Sequence, residues 1–78
     1  MREVKIFLGT IERVKDFVNA VTRLDCDMDI VSGRYVIDAK SIMGIFSLDL
    51  SKAVDLRIHA EGTEAEKAME VISPFIEK

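Results

Sequence analysis

The stretch "IERVKDFVNAVTRL", residues 11 to 24, sets apolar side chains three and four positions apart: Ile11, Val14, Phe17, Val18, Val21 and Leu24. That spacing draws one stripe down a helix, and a helix with a single apolar stripe must lay it against something. Thr10 precedes the run as an N-cap, and Glu12 complements the positive helix start. The rest of the chain therefore has to build an apolar surface broad enough to receive this helix.

Three other stretches switch to a period of two. In "EVKIFL", residues 3 to 8, Val4, Ile6 and Leu8 share a face, and Gly9 breaks the run. In "DCDMDIV", residues 25 to 31, Cys26, Met28 and Ile30 point one way and Asp25, Asp27 and Asp29 the other. In "AVDLRIHAEG", residues 53 to 62, Val54, Leu56, Ile58 and Ala60 face in, while Asp55, Arg57, His59 and Glu61 face out. A fourth run, "RYVIDA", follows Ser32-Gly33, a turn, so residues 26 to 38 read as a hairpin with Tyr35, Ile37 and Ala39 on one face. The last segment opens with Thr63 and Glu66 at capping-box spacing and buries Ala65, Ala68, Met69, Ile72 and Phe75; Pro74 kinks or ends it. The element order is strand, helix, strand, strand, short helix, strand, helix: an α+β chain with one face of a four-stranded sheet under helices and the other left wet.

With 78 residues the chain, 1–78, is expected to be a single domain. The net charge of −3 offers no basic field for nucleic acid. Cys26 is the only cysteine and His59 the only histidine, which removes intrachain disulfides, cysteine-based zinc clusters and most triad chemistry, and no metal or cofactor is expected. The start "MREVKIFLGT" carries charges within its apolar residues, no apolar run reaches the roughly 18 residues of a membrane span, and a cytoplasmic setting is expected without membrane insertion. The three aspartates at alternate positions, Asp25, Asp27 and Asp29, lack a calcium-loop glycine pattern and read as a solvated strand face. His59, mid-strand with Arg57 and Glu61 beside it, reads as an exposed sheet residue without an orienting partner; Cys26 reads as a buried, inert thiol among acids.

The stretch with most to explain is "AKSIMGIFSLDL", residues 39 to 50. Ser41 caps one or two helical turns, Ile45 and Leu48 turn inward, and Ile42, Met43 and Phe46 stay partly exposed. Helical burial of a connection competes with docking as the explanation, but the two long helices already cover one sheet face, so these apolar residues are surplus, and surplus exposed apolar area marks docking sites. A phosphoryl group on Ser41 would set about two negative charges beside that dock, at the free N–H groups of a helix start, which makes a switch for partner choice.

"AKSIMGIFSLDL" followed by "AVDLRIHAEGTEAEKAMEVI" resembles the second half of HPr, the histidine-containing phosphocarrier family of the bacterial sugar phosphotransferase system. The resemblance implies an open-faced β-sandwich, four antiparallel strands covered on one face by three helices (β-α-β-β-α-β-α). It implies that Ser41 matches the serine phosphorylated by a dedicated kinase, and that Ile42, Met43 and Phe46 match the patch that docks onto proteins of the phosphotransferase system and a transcriptional regulator. The first helix departs from the family: phosphocarriers read Gly-Leu-His-x-Arg-Pro-Ala there, while this chain reads "LGTIERVKDF", with Thr10 in the histidine's place and Glu12 in the arginine's. A threonine hydroxyl without a base is a weak nucleophile, and a glutamate repels the phosphate an arginine would hold. The expected function is a non-enzymatic regulatory or vestigial HPr-like binding protein, monomer or weak homodimer, without histidine phosphotransfer. The alternatives are a phosphocarrier using His59 as acceptor, and a homo-oligomeric module whose knuckle forms its own contact.

Overall fold

A computed structural model describes residues 1–77. Its elements are β1 (Arg2–Ile6), α1 (Ile11–Thr22), β2 (Asp27–Ser32), β3 (Tyr35–Asp38), α2 (Ile42–Phe46), β4 (Val54–His59) and α3 (Gly62–Ile72), followed by a 3-10 turn at Ser73–Phe75. The four strands form one sheet in the order β1-β4-β2-β3. Every neighbouring pair is antiparallel. This is the α+β arrangement the alternating periods predict, with the helices on one face.

The sheet's inner face carries Ile6, Met28, Ile30, Leu56 and Ile58, all but removed from water, and α1 lays Val14, Phe17 and Val21 onto it. α3 presents Ala65, Ala68 and Ile72, so two of its three buried positions are small. Phe75, in the 3-10 turn, meets Phe17 edge-on with ring centroids 5.4 Å apart. All of these residues except Ala65 belong to one buried cluster.

Several local expectations change. β1 stops at Ile6, although Leu8 is buried, because the chain beyond it bonds elsewhere: Phe7 N–H donates to the Phe75 carbonyl. α1 ends at Thr22; Leu24, spaced for the stripe, lies past the helix and is half-buried. Ile11, also counted in the stripe, is the first helical residue and is exposed. The hairpin turn is one residue later than expected: Ser32 pairs with Tyr35, leaving Gly33-Arg34 as the two-residue loop. Gly33 alone takes a positive φ, +59°, which is the sign pattern of a type II′ turn. α3 starts before Thr63: Gly62, at φ +62°, turns the chain early, Glu61 becomes the N-cap, and the expected Thr63–Glu66 box does not form. The helix finishes at Ile72, just before the turn containing Pro74.

Candidate functional site

α2 is held by one deep anchor. Ile45 is fully buried, while Ile42 and Leu48 pack against the core at half-burial. A helix of five residues cannot hide its four large side chains, so the outward positions stay in water: Met43 is 77 % exposed and Phe46 37 %. Of the three residues expected to form the dock, two are open and Ile42 is shared between core and surface.

Ser41 starts this helix in extended backbone, and its Oγ accepts a hydrogen bond from Gly44 N–H at 3.3 Å. Its own N–H donates to the Asp38 carbonyl, so both main chain and side chain of Ser41 fix the way α2 leaves β3. Lys40, beside it, is engaged away from the serine. Its Nζ donates to the Leu24 carbonyl at 2.8 Å, satisfying backbone left open after α1. Gly44 is required by close approach: a Cβ there would stand 2.5 Å from Ile37 Cγ2 on β3.

Thr10 is the N-cap of α1, in extended backbone, and its Oγ1 accepts from Arg13 N–H at 3.2 Å. Glu12 is exposed in the first turn. The cation near the helix start is Arg13, one residue later than the place spacing assigns to the family arginine, and sequence reasoning passed over it. Its guanidinium donates to the Phe7 carbonyl at 2.9 Å and the Pro74 carbonyl at 3.2 Å and lies 5.1 Å from the centre of the Phe75 ring. It clasps the loop before α1 to the C-terminal turn and is engaged with backbone. Gly9 N–H donates to the Leu50 carbonyl, tying the loop before Thr10 to the loop after α2.

His59 has the orienting partner that the sequence reading denied it. It is the last residue of β4, and its Nε2 lies 2.7 Å from Asp29 Oδ2 on β2. The pair follows from register: β4 runs beside β2 with His59 opposite Asp27, which puts Asp29 within diagonal reach on the same face. No spacing along the chain reveals that contact, since thirty residues separate the two. The location is also far from Thr10. Ile6, which leads into the Thr10 loop, pairs with Val54, whereas Arg2 pairs with Ile58 next to His59. Four strand steps of roughly 3.3 Å put His59 and Thr10 at opposite ends of the sheet, and His59 is on the uncovered face.

The uncovered face carries further pairs, Arg57 Nε to Glu3 Oε2 at 2.9 Å and Lys5 Nζ to Asp55 Oδ1 at 3.9 Å. Cys26 is buried. Among the described residues no three histidine, cysteine or acidic side chains converge as a metal site, and no helix is long and apolar enough to cross a membrane.

The family described as "PTS HPr component phosphorylation site" matches residues 12–78, a span that takes in Ser41 and α2 and starts just after Thr10. Among curated proteins, the HPr-like protein Crh of Halalkalibacterium halodurans is 34 % identical over 77 residues, covering 97 % of this chain and 92 % of the relative. The HPr-like protein Crh of Bacillus subtilis is 27 % identical over 62 residues, covering 80 % of this chain and 73 % of the relative. Among solved structures, HPr-C-His from Thermoanaerobacter tengcongensis superposes with a TM-score of 0.77 at 27 % identity, covering 95 % of this chain and 89 % of that one. The phosphocarrier protein HPr from Bacillus anthracis superposes with a TM-score of 0.74, also at 27 % identity, covering 97 % and 94 %.

Proposed function

Because the chain belongs to the HPr family of the sugar phosphotransferase system, we propose that it is a regulatory protein-binding module of that system, with α2 as its dock and Ser41 as its switch. The observation that carries the reading is Met43, left 77 % exposed on a helix whose neighbour Ile45 is fully buried. The fold is anchored without Met43, so its side chain and that of Phe46 are free to enter a partner's pocket. The partners are other proteins of the phosphotransferase system, a serine kinase or a transcriptional regulator, met in the cytoplasm.

Ser41 stands at the rim of this dock. Phosphorylation would add about two negative charges there. Lys40 is bound to the Leu24 carbonyl, so the charge would not be drawn onto that neighbouring cation and would be presented outward to the partner. A wholly apolar partner surface would be disfavoured, because it would strip water from the phosphate without pairing it, and one bearing arginine or lysine beside an apolar pocket favoured.

Histidine phosphotransfer has no support at the α1 start, where Thr10 caps the helix and Arg13 is engaged with backbone carbonyls. His59 gives the competing reading one favourable feature, a carboxylate-oriented imidazole, at the far end of the other face. Incubation with phosphoenolpyruvate and the first enzyme of the system separates the two. The expected result is no acid-labile label; label lost in His59→Ala would make the protein a carrier. Incubation with an HPr serine kinase and ATP is expected to label wild type and leave Ser41→Ala unlabelled, and an unlabelled wild type removes the switch.

A further inference from the structure

The sheet's two edges are treated differently. At the end of β1 the C-terminal segment covers the edge: Phe7 N–H donates to the Phe75 carbonyl, Ile6 bridges Ile76, and Glu77 N–H donates to the Lys5 carbonyl. β3 is the other edge, and among the described residues no strand pairs with its outer side. It carries two large exposed side chains, Tyr35 at 67 % and Val36 at 62 %. An edge strand with exposed apolar residues and free main-chain groups is a template for another strand.

The direction of those groups is fixed. Ala39 N–H donates to the Met28 carbonyl, so Tyr35, Ile37 and Ala39 turn their main chain toward β2, and the alternate residues, Arg34, Val36 and Asp38, turn theirs outward. The segment "RYVID", the last loop residue followed by β3, has Val36 at its centre, a cation at one end and an anion at the other. Neither Arg34 nor Asp38 takes part in an ion pair among the described residues. Asp38 stands directly across from Asp29, an unfavourable like-charge placement, and Asp29 already has His59.

We propose that β3 pairs antiparallel with β3 of a second copy of this chain, about a twofold axis through Val36, joining the two four-stranded sheets into one. In that register Val36 exchanges both main-chain hydrogen bonds with its copy, and Asp38 N–H donates to the second copy's Arg34 carbonyl. Arg34 reaches the second copy's Asp38, which supplies the cation that the Asp29–Asp38 placement lacks. Tyr35 lies against the second copy's Ile37 on the helix side, and Val36 against Val36 on the open side. The partner is another copy because the sequence is complementary to itself in this direction only: parallel pairing would set Arg34 beside Arg34 and Asp38 beside Asp38.

Sedimentation velocity across a concentration series is the test. Wild type shows a concentration-dependent dimer. Val36→Lys places two ammonium groups on the axis, and Arg34→Asp sets aspartate against aspartate; each weakens the dimer by about tenfold or more. The double exchange Arg34→Asp with Asp38→Arg restores it to near the wild-type constant. Asp38 Oδ1 also accepts from Lys40 N–H, so the double variant is first checked by circular dichroism, and the two single variants decide the matter where it does not fold. A wild-type chain that stays monomeric, or a dimer lost in Met43→Asp and kept in Val36→Lys, overturns the pairing. Failure here leaves the docking role of α2 standing, since kinase labelling of Ser41 is read independently of oligomeric state.

Discussion

Arg13 shows how much one side chain can settle. Its guanidinium joins the carbonyls of Phe7 and Pro74, sixty-one residues from Arg13 in the second case, and covers the Phe75 ring. Replacing it with alanine leaves the helix cap in place but opens the clasp, and the expected loss is roughly 1–2 kcal/mol in urea unfolding. Thr10 is the helix cap, and Thr10→Ala is expected to destabilise by about 1 kcal/mol in the same urea titration. Asp49 is a second local case. Hydrogen bonds from the Ser51 hydroxyl, at 2.6 Å, and from Ser51 N–H hold its carboxyl below the ordinary 3.8. Those bonds act in full above the ordinary carboxylate value and are lost as pH falls through the lowered one. Ser51→Ala is expected to return the Asp49 titration, followed by carboxyl-carbon NMR, toward its ordinary value.

α2 owes its position to the strand before it. Gly44 rests on Ile37, and an added methyl at 2.5 Å from Ile37 Cγ2 would force apart a β-branched side chain with little rotamer freedom. Gly44→Ala gains helix propensity of up to about 1 kcal/mol, but the clash costs about 1–3 kcal/mol, so the net is destabilising. Ile37→Ala removes the obstructing atom, and a double-mutant cycle by thermal unfolding should show Gly44→Ala harmless, or helpful, in that background. Met43→Asp belongs to the same element with the opposite outcome: melting is expected to move little, since Met43 is 77 % exposed, while the proposed docking predicts lost binding to a phosphotransferase-system partner in a pull-down.

The whole molecule depends on the layer where α1 and the C-terminal turn meet. Phe17 is fully buried and edge-on to Phe75, so Phe17→Ala leaves a cavity shared by both, and a loss of roughly 3–5 kcal/mol is expected in denaturant titration. In a domain whose total stability is of order 5–15 kcal/mol, that is a large fraction of the fold. The same layer shows how far sequence reasoning reached. The stripe through Val14, Phe17 and Val21 and the alternation through Met28 and Ile30 and through Leu56 and Ile58 placed the covered face correctly, because burial on one face imposes a period that the chain itself records. Ile11 failed at the start of the stripe, where it is exposed, while Leu24, past the end of α1, still packs against the core from outside the helix.

What the residues alone determined is the set of elements, the covered face and the apolar excess behind Ser41, since each is written in the spacing of side chains over a few turns or strand steps. What only the tertiary structure decided is which strands neighbour one another. The order β1-β4-β2-β3 brings His59 to Asp29, sends Arg13 across to Pro74, and leaves β3 at an edge with Arg34 just before it and Asp38 at its end. Those contacts join residues far apart in the chain, and their choice rests on how the whole sheet can be covered and closed, which no local period encodes.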